Sequence, residues 1–589
     1  MTAAADASEA AALLAAVPAN RRVALVDPRF VGHVHALRLG LTDPRFPVAA
    51  IPGALTARPE ARAAALRALH RSVTPVGVGS PALPDGAGTD GAATPAEDRT
   101  VPGRLAAALA AEGAEVKRPE LGSLIAAVPT GPEDRSSAQA AVDAVDDEAV
   151  RLRSAVKAHD GFFTTYFISP YSRYIARWCA RRGLTPNQVT TASLITALIA
   201  AGSAATGTRG GYVAAGVLLL LSFVLDCTDG QLARYSLQYS TMGAWLDATF
   251  DRAKEYAYYA GLALGAARGG DDVWVLALGA MVLQACRHVV DFSFNEANHD
   301  AVSNTSPTAA LSDRLDSVGW TVWLRRMIVL PIGERWAMIA VLTAVTTPRI
   351  VFYALLIGCA LAACYTTAGR LLRSLTRKAQ RTDRAAGALA DLADSGPLAQ
   401  GVAAVLRRPR GGFTAPLLAF AGALAVVAAA LFAPFGGPLT VGAAGVYAIL
   451  SGLAVSRPLK GALDWLVPPV FRAAEYCTVL VLAARSDVPH AVPAAFGLVS
   501  AVAYHHYDTV YRIRGGTGAP PRWLVRTIGG HEGRTLVVAV LAALLTSGSG
   551  FTTALTVFAV AVALVVLVES IRFWVSSSAP AVHDEGELA

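Results

Sequence analysis

The sequence predicts a mainly α-helical, polytopic membrane protein with a small soluble α/β domain at its N-terminal end. Of its 589 residues, 54% are hydrophobic and only 16% are charged, whereas about 25% are charged in an average soluble protein. The mean hydropathy is +0.44. Beyond residue 188 the apolar residues are gathered into helix-length runs, whereas residues 1–150 are soluble in character. The chain is therefore too long and too apolar for one ordinary soluble domain.

The N-terminal domain is expected to span residues 1–150. A Pro-, Gly- and Asp-rich stretch at 79–100 predicts a flexible loop inside it. Apolar runs and helical periodicity predict two strands and two helices, at 23–27, 47–51, 60–71 and 103–116. Strands and helices in this mixture predict a small α/β fold.

Cysteine spacing and net charge exclude several classes of protein. The six cysteines are scattered without any C-x2-C pair, so neither a disulfide framework nor a zinc site is expected. The net charge of +7 is modest for this length, and no nucleic-acid partner is expected. No basic segment precedes an apolar core at the N-terminus, so no signal peptide is expected.

The first membrane domain is expected over 151–383, and its first element is an amphipathic helix at 164–183. This stretch combines aromatic residues with four arginines, which is typical of a helix that lies along the membrane interface. An ordinary soluble helix is the alternative. The interfacial helix is favoured because the sequence LTPNQVT and an apolar span follow at once.

Six membrane spans are predicted in this domain, at 189–207, 211–229, 243–266, 272–295, 336–347 and 349–372. Several are shorter than about 20 residues or carry charges, so hydropathy alone would miss some of them. Basic clusters occur at alternate connections, at 173–182, at Arg325 and Arg326, and at 370–384. By the positive-inside rule, the block has both termini in the cytoplasm, and a bacterial plasma membrane is the expected location.

Four aspartates lie where the second span ends and the third begins: Asp226, Asp229, Asp247 and Asp251. Spacings of three and four residues place each pair on one helix face. Four carboxylates next to apolar helices would repel one another, and a hard divalent cation is the usual compensation. The cluster therefore predicts phosphoryl-transfer chemistry at the cytoplasmic membrane surface. Solvated helix ends are the structural alternative.

The aspartates are part of the longer pattern D-x2-D-G-x2-A-R-x8-G-x3-D-x3-D. Its other positions are filled by Gly230, Ala233, Arg234 and Gly243. The pattern resembles the signature of the CDP-alcohol phosphotransferase (CDP-alcohol phosphatidyltransferase) family of six-helix membrane enzymes. The TPNQVT box is similar to the one that opens the first transmembrane helix of that family.

The resemblance implies a reaction in which an acceptor hydroxyl attacks a CDP-linked alcohol, such as CDP-diacylglycerol or a CDP-inositol-like compound, and CMP is released. It implies two Mg²⁺ or Mn²⁺ ions held by the four aspartates, with Asp251 also acting as the catalytic general base. It further implies a nucleotide- and phosphate-binding set, which comprises Gly230, Ala233, Arg234, Gly243, Asn187 and Thr190. The membrane bilayer is the other expected partner.

Acceptor recognition is assigned to Arg287, Arg335 and Arg370, because intramembrane arginines are functional candidates. They would suit a phosphorylated acceptor such as inositol phosphate. The alternative is that they are basic anchors that obey the positive-inside rule. Lys254 and Glu255, one turn past the motif, could likewise form a plain ion pair with each other.

A charged, Ala- and Gly-rich linker is expected at 384–412, followed by a second membrane block at 413–589. Six further spans are predicted there, at 414–434, 438–456, 462–485, 491–511, 535–547 and 551–574. Two six-span blocks in one chain suggest an internal duplication.

Sequence matches between the blocks support this duplication. WLDATFDRAKEY at 245–256 matches WLVPPVFRAAEY at 465–476, and two further pairs follow in the same order: 287–291 with 505–508, and 323–335 with 523–534. Generic membrane composition is the alternative, but it does not explain the shared Trp, Arg, Glu and Tyr positions.

The second block lacks the acidic motif. Val467 and Phe471 stand where Asp247 and Asp251 stand in the first block. We therefore expect the second block to be catalytically inactive and to take the place of a homodimer partner.

Two other hypotheses concern the whole chain and its N-terminal domain. A twelve-span transporter that uses clustered carboxylates for ion coupling is the functional alternative, although such sites usually lie at the bilayer midplane. The junction after residue 145 resembles fusions in which a nucleotidyltransferase precedes the membrane domain. The Gly-rich phosphate-binding start of that enzyme is absent, so a nucleotidyltransferase-like domain here would be inactive.

Overall fold

The structure is a computed structural model of the chain. It describes residues 2–18, 21–42, 47–73, 100–114, 116–157, 160–298, 330–376, 381–409, 411–546 and 548–576. Almost all of the predicted loop at 79–100, and the basic pair Arg325 and Arg326, lie outside the described residues.

The chain divides into two compact units. The first comprises residues 1–157, 173–185 and 230–240, and the second comprises 158–172, 186–229 and 241–589. The first unit contains the α/β fold, and the second contains most of the apolar helical residues.

The first unit contains six helices and six strands among its described residues before 157. The helices are α1 (Ala7–Ala16), α2 (Val34–Thr42), α3 (Arg62–Val73), α4 (Val101–Ala111), α5 (Pro132–Asp143) and α6 (Asp147–Ser154). The strands are β1 (Val23–Val26), β2 (Val31–Gly32), β3 (Val48–Ile51), β4 (Ala54–Ala57), β5 (Val116–Lys117) and β6 (Ala126–Ala127). The predicted α/β domain is therefore confirmed, including the two strands and two helices expected from the sequence.

The main sheet has the strand order β1-β4-β3-β5. Strand β4 is antiparallel to both β1 and β3, whereas β5 is parallel to β3. The tight turn between β3 and β4 requires Gly53, whose φ of +76° is unfavourable for residues with a Cβ. The sheet packs through Val48 and Leu55 against Leu69 of α3 and Leu109 of α4.

The interfacial segment forms a π-helical turn, Thr164–Ile168, that continues as α7 (Ser169–Arg181). Large aromatic side chains along it are exposed, and Trp178 is 52% exposed. Arg177 lies over the ring of Tyr174 and Arg182 over that of Trp178, at 5.3 and 5.1 Å from the ring centroids. Exposed aromatic rings flanked by arginines are what a membrane interface favours.

All six predicted helices of the first block are present. They are α8 (Pro186–Ala205), α9 (Arg209–Ser236), α10 (Thr241–Arg268), α11 (Trp274–Asn298), α12 (Ile332–Val345) and α13 (Pro348–Thr376). Each predicted span overlaps one of these helices.

The second block also contains six main helices. Its main helices are α16 (Thr414–Phe432), α17 (Pro438–Val455), α18 (Val467–Arg485), α19 (Ala491–Arg514), α21 (Gly530–Leu544) and α22 (Gly550–Ser576), and the short α20 (Arg522–Ile528) precedes α21. The predicted linker is itself helical: α14 (Asp383–Leu392) and α15 (Pro397–Val405) lie there or begin one residue before it.

Eight of these helices are long and apolar enough to cross a membrane. The other four of the twelve predicted spans are α10 and α19, which carry many polar residues, and α12 and α21, which have only 14 and 15 residues. Large apolar side chains are exposed along the outer faces of the long helices, such as Leu361 on α13 and Leu564 on α22. The protein is an integral membrane protein.

Close packing of α8, α9 and α10 positions the aspartates. Gly261 and Gly265 of α10 lie against α8, where a Cβ would overlap the carbonyl oxygens of Ala201 and Ala204. Close approach of this kind is what small residues permit in membrane helix pairs. Ser193 of α8 donates a hydrogen bond of 2.8 Å to the Ser222 carbonyl of α9, which joins the third helix to the pair.

Three connections meet at the end of this bundle opposite the aspartates. Arg349, at the start of α13, pairs with Asp271, which lies between α10 and α11, at 3.0 Å. Arg209, at the start of α9, donates a 3.0 Å hydrogen bond to the carbonyl of Thr346, which follows α12. This arrangement agrees with the predicted up-and-down order of the spans.

We expect Gly261→Ala to loosen the α8–α10 pair. The new Cβ would overlap the Ala201 carbonyl, so the helices would have to separate, with an expected loss of about 1–3 kcal/mol in the free energy of unfolding. Thermal unfolding of the purified protein in detergent measures this loss.

Gly202→Ala is the matched control, because no atom lies within 4 Å of a Cβ added there. It should leave the unfolding temperature unchanged or raise it slightly, since alanine favours a helix over glycine. Equal behaviour of the two variants would contradict the packing argument.

Candidate active site

Three of the four predicted aspartates converge on one point. Asp226 and Asp229 lie on α9 near its C-terminal end, and Asp247 lies in the second turn of α10. One carboxylate oxygen from each lies within 4.8 Å of the others. The spacing predicted this convergence, because each pair occupies a single helix face.

The three carboxylates fit a hard divalent cation. Oxygen donors from several aspartates are the ligands that Mg²⁺ and Mn²⁺ prefer. Asp229 is buried, and its Oδ2 has no hydrogen-bond partner among the described residues. An unsatisfied buried carboxylate oxygen is unfavourable, so it indicates a site that accepts a positive group.

Asp251, the fourth aspartate, has a different partner. Its Oδ1 lies 2.9 Å from the Lys254 ammonium, which also pairs with Asp226 Oδ1. Lys254 is only 1% exposed, and its Nζ additionally reaches the hydroxyl of Ser193 at 3.2 Å. Lys254 therefore forms an ion pair with one aspartate of each pair, Asp226 of the first and Asp251 of the second.

Glu255 is part of a separate buried network. It pairs with Arg252 at 2.7 Å and with Arg335 of α12 at 3.2 Å. Lys254 and Glu255 therefore pair with other residues, and the alternative that they pair with each other is wrong. Consecutive helical residues project about 100° apart, so the lysine faces the aspartates while the glutamate faces α12.

Three pattern residues, Gly230, Ala233 and Arg234, lie on the final two turns of α9. There the Arg234 Nε donates a 2.6 Å hydrogen bond to the carbonyl of Ala155. A Cβ on Gly230 would be in ordinary van der Waals contact with the Arg234 guanidinium, 3.4 Å from Nη1, so the guanidinium lies along the helix next to Gly230. Ala233 is buried, and Gly243 lies in the first turn of α10.

The two residues of the TPNQVT box lie in the first turns of α8. Thr190 is buried beside the Asp229 carboxylate and donates a 3.0 Å hydrogen bond to the Pro186 carbonyl. Asn187 is half-buried, and its backbone carbonyl accepts a 2.8 Å hydrogen bond from the Thr191 hydroxyl. Thr190 therefore lies next to the aspartate cluster.

Residues 183–348, which contain the four aspartates, match the family model described as CDP-alcohol phosphatidyltransferase. This segment is a CDP-alcohol phosphatidyltransferase domain. The match favours a transferase over the transporter alternative. A second family model, a family of unknown function (DUF5941), matches residues 383–589, which include the helices α14 and α15 and the whole second block.

Three curated relatives resemble the transferase domain. A phosphatidylinositol phosphate synthase of Streptomyces avermitilis is 29% identical over 154 residues, 26% of this chain and 59% of the relative. An archaetidylinositol phosphate synthase of Pyrococcus horikoshii is 30% identical over 113 residues, 19% of this chain and 58% of the relative. A bifunctional IPC transferase and DIPP synthase of Aquifex aeolicus is 31% identical over 132 residues, 21% of this chain and 29% of the relative. The matches thus span less than two thirds of each of these relatives.

The three arginines predicted to bind the acceptor lie on different helices of the first block. Arg335 is buried in its ion pair with Glu255, and Arg370 of α13 pairs with Asp291 of α11. Arg287 of α11 is buried beside Cys359. Arg335 and Arg370 therefore both have carboxylate partners, which an acceptor phosphate would have to share or displace.

The second block contains a counterpart of the Glu255 network. Arg472 pairs with Glu475 at 2.7 Å, and Glu475 pairs with Arg534 of α21 at 2.5 Å. The sequence matches align these residues with Arg252, Glu255 and Arg335. An Arg-Glu-Arg cluster on equivalent helices is therefore present in both blocks.

The linker before the second block adds one carboxylate to this cluster. Asp394, which follows α14, contacts both Arg472 and Arg534, at 3.0 and 2.8 Å. Burial by itself would raise the pKa of Asp394, but Arg534, His505 and Arg472 hold it well below its usual value. Asp394 therefore stays ionised at neutral pH and neutralises the second guanidinium.

The position aligned with Asp251 is filled by an aromatic ring. Phe471 is fully buried and stacks on His531, with 4.2 Å between ring centroids. Val467, aligned with Asp247, is also fully buried. Among the described residues of the second block, the three-aspartate cluster has no counterpart.

We expect Glu255→Gln to destabilise the protein more than Glu475→Gln. Loss of Glu255 leaves Arg252 and Arg335 without their shared carboxylate, which should reduce the free energy of unfolding by about 3–5 kcal/mol. In the second block Asp394 still pairs with both arginines. Thermal unfolding of the two purified variants tests the ranking, and equal losses would contradict it.

Proposed function

We propose that the protein transfers a substituted phosphate group from a CDP-linked alcohol to an acceptor hydroxyl and releases CMP. The observation that carries the proposal is the convergence of Asp226, Asp229 and Asp247, with Asp251 one helical turn beyond Asp247. Within a transferase domain of this family, such a cluster is suited to binding a cation next to a pyrophosphate.

Three of the aspartates would hold Mg²⁺ or Mn²⁺. When bound, the cation would neutralise negative charge on the pyrophosphate of the CDP-alcohol. Thr190 of α8 lies beside the Asp229 carboxylate. The burial of Asp229 excludes bulk water from this side of the cluster.

Asp251 is assigned as the general base. The acceptor oxygen forms a new bond to the β-phosphorus while the bond from that phosphorus to the CMP oxygen breaks. The electron pair leaves with CMP, and the acceptor proton moves to the Asp251 carboxylate. Asp251 acts only by accepting one proton, so the reaction requires no covalent intermediate with this carboxylate.

Inositol phosphate is the proposed acceptor, and CDP-diacylglycerol the proposed donor. Two of the relatives are named as synthases of inositol phosphate lipids, phosphatidylinositol phosphate and archaetidylinositol phosphate. Arg287, Arg335 and Arg370 supply guanidinium groups on α11, α12 and α13, and guanidinium groups suit phosphate recognition. The residues that we assign to binding the nucleotide are Gly230, Ala233, Arg234, Gly243 and Asn187.

The active site is proposed to face the cytoplasm. The aspartates lie at the bundle end that follows the basic segment at 173–182, whereas the connections at 206–208, 269–273 and 346–347 are grouped at the opposite end. The positive-inside rule favours this orientation. Soluble nucleotides and inositol phosphate would be available on that side.

Asp251→Asn should abolish CMP release while the protein remains folded. The amide is nearly isosteric with the carboxylate but cannot accept the acceptor proton, so we expect a loss of at least about 10²-fold in kcat. The measurement is CMP formation from CDP-diacylglycerol and inositol phosphate by the full-length protein in lipid vesicles with Mg²⁺.

Asp271→Asn is the matched control, because Asp271 is paired with Arg349 at the opposite end of the bundle. It should retain turnover. Retained turnover in Asp251→Asn would exclude Asp251 as the base, whereas no CMP from the unmodified protein with any CDP-alcohol would overturn the proposed function.

We further propose that the second block replaces a homodimer partner. Trp245 of α10 stacks on Trp574 of α22, with 6.0 Å between ring centroids. Trp465, aligned with Trp245, donates a 2.9 Å hydrogen bond to Ser374 of α13. Each aligned tryptophan thus contacts the last helix of the other block.

A second pair of reciprocal contacts supports the same relation. Helix α10 packs on α19, and α11 packs on α18, so the third and fourth helices of each block exchange contacts. The aligned residues Tyr256 and Tyr476 lie near each other between the blocks. Contacts of the type i to j′ and j to i′ are characteristic of a two-fold symmetric dimer interface.

The proposed arrangement predicts that one chain is sufficient for activity. In nanodiscs that hold a single chain, verified by mass, we expect CMP release at the same rate per chain as in vesicles. The reason is that the second block already covers the α10–α11 surface. Activity restricted to particles with two chains would contradict the proposal.

A further inference from the structure

Lys254 lies inside the aspartate cluster and has no role in the proposed reaction. It is the third residue after Asp251, and its side chain points from α10 toward α9. Its ammonium pairs with Asp226 Oδ1 and with Asp251 Oδ1, the latter at 2.9 Å. The lysine therefore bridges one carboxylate from each pair.

The surroundings of the ammonium are closed. Lys254 is 1% exposed, and besides the two carboxylates its Nζ contacts the Ser193 hydroxyl at 3.2 Å and lies 5.8 Å from the centroid of the Trp336 ring. A buried ammonium without an anionic partner is strongly unfavourable. Neither a hydroxyl nor an indole ring replaces a carboxylate, so the lysine depends on Asp226 and Asp251.

The four aspartates divide into a group of three and Asp251. The oxygens that lie within 4.8 Å of one another belong to Asp226, Asp229 and Asp247, and Asp251 is not among them. A second divalent ion would need Asp251, whose Oδ1 is already held by Lys254. Two cations that share these carboxylates would also repel each other at short range.

The second block offers an internal comparison. Where Phe471 replaces Asp251, Ala474 replaces Lys254, whereas Arg472 and Glu475 repeat Arg252 and Glu255. The lysine is thus absent where the carboxylates are absent, although the neighbouring ion pair persists. This pattern links Lys254 to the aspartates rather than to the helix packing.

We propose that Lys254 is a built-in cation for Asp226 and Asp251, and that the cluster consequently binds one divalent ion instead of two, on Asp226, Asp229 and Asp247. The inference rests on the proposed function insofar as that function assigns a metal to this site. It replaces the expectation of two ions that the family resemblance gave. Lys254 acts as a positioning residue, since it fixes Asp251 and does not itself touch the reacting atoms.

The test is the number of Mn²⁺ ions bound per chain. The full-length protein in detergent is stripped with a chelator and titrated with Mn²⁺ to saturation, and bound ions are counted by equilibrium dialysis and by electron paramagnetic resonance. We expect one ion per chain with an uncoupled spectrum. Lys254→Ala, which introduces the residue found at position 474, should bind two ions with a spin-coupled spectrum.

Lys460→Ala is the matched control, because Lys460 pairs with Asp383 away from the cluster. It should bind one ion, as should the unmodified protein. Two ions in the unmodified protein, or one ion in Lys254→Ala, would overturn the inference. If Lys254→Ala does not fold, the count for the unmodified protein decides the question by itself.

The outcomes also separate this inference from the proposed function. Two ions with normal CMP release would refute the role of Lys254 and leave the proposed function intact. No bound Mn²⁺ at saturation would refute both the inference and the metal assignment. One ion without CMP release would support the lysine's role and contradict the proposed reaction.

Discussion

Repulsion among four carboxylates is the constraint on which the transferase domain depends. Asp226, Asp229, Asp247 and Asp251 lie on two apolar helices, where the low dielectric makes like charges strongly repulsive. Part of the compensation comes from the Lys254 ammonium, and we propose that a bound cation supplies the rest. The close packing of α8 against α10 through Gly261 and Gly265 keeps these groups within reach of one another.

The same principle explains the buried arginines. Arg252 and Arg335 share Glu255, so two guanidinium groups are held by one carboxylate beside the aspartates. In the second block Asp394 supplies an additional carboxylate to the equivalent pair. Both blocks thus contain an Arg-Glu-Arg cluster. They differ in the number of carboxylates that neutralise its two arginines.

This difference is consistent with different roles for the two blocks of the chain. The second block keeps the Arg-Glu-Arg cluster and the aligned tryptophan, both of which contribute to packing. It has a stacked Phe471 and His531 in place of the acids. Among the described residues, the two positions aligned with Asp247 and Asp251 are therefore filled by apolar side chains, Val467 and Phe471.

The sequence by itself determined the helices and the identity of the four aspartates. Each of the twelve spans expected from the sequence overlaps a helix, and the three- and four-residue spacings placed each pair of acids on one face. The short helices α12 and α21 could also be located from the sequence, because polar segments flank them. The helices α14 and α15 were missed, since their small residues and charges also suit a linker.

Only the tertiary structure decided which charges pair. The sequence suggested that Lys254 would bind its neighbour Glu255, yet the lysine reaches Asp226, 28 residues away, and Arg335 reaches Glu255, 80 residues away. Helical spacing specifies the direction in which a side chain projects, but not which helix lies opposite. The partner is fixed by helix packing, and in this protein that packing assigns Lys254 to the aspartates and leaves Asp226, Asp229 and Asp247 together.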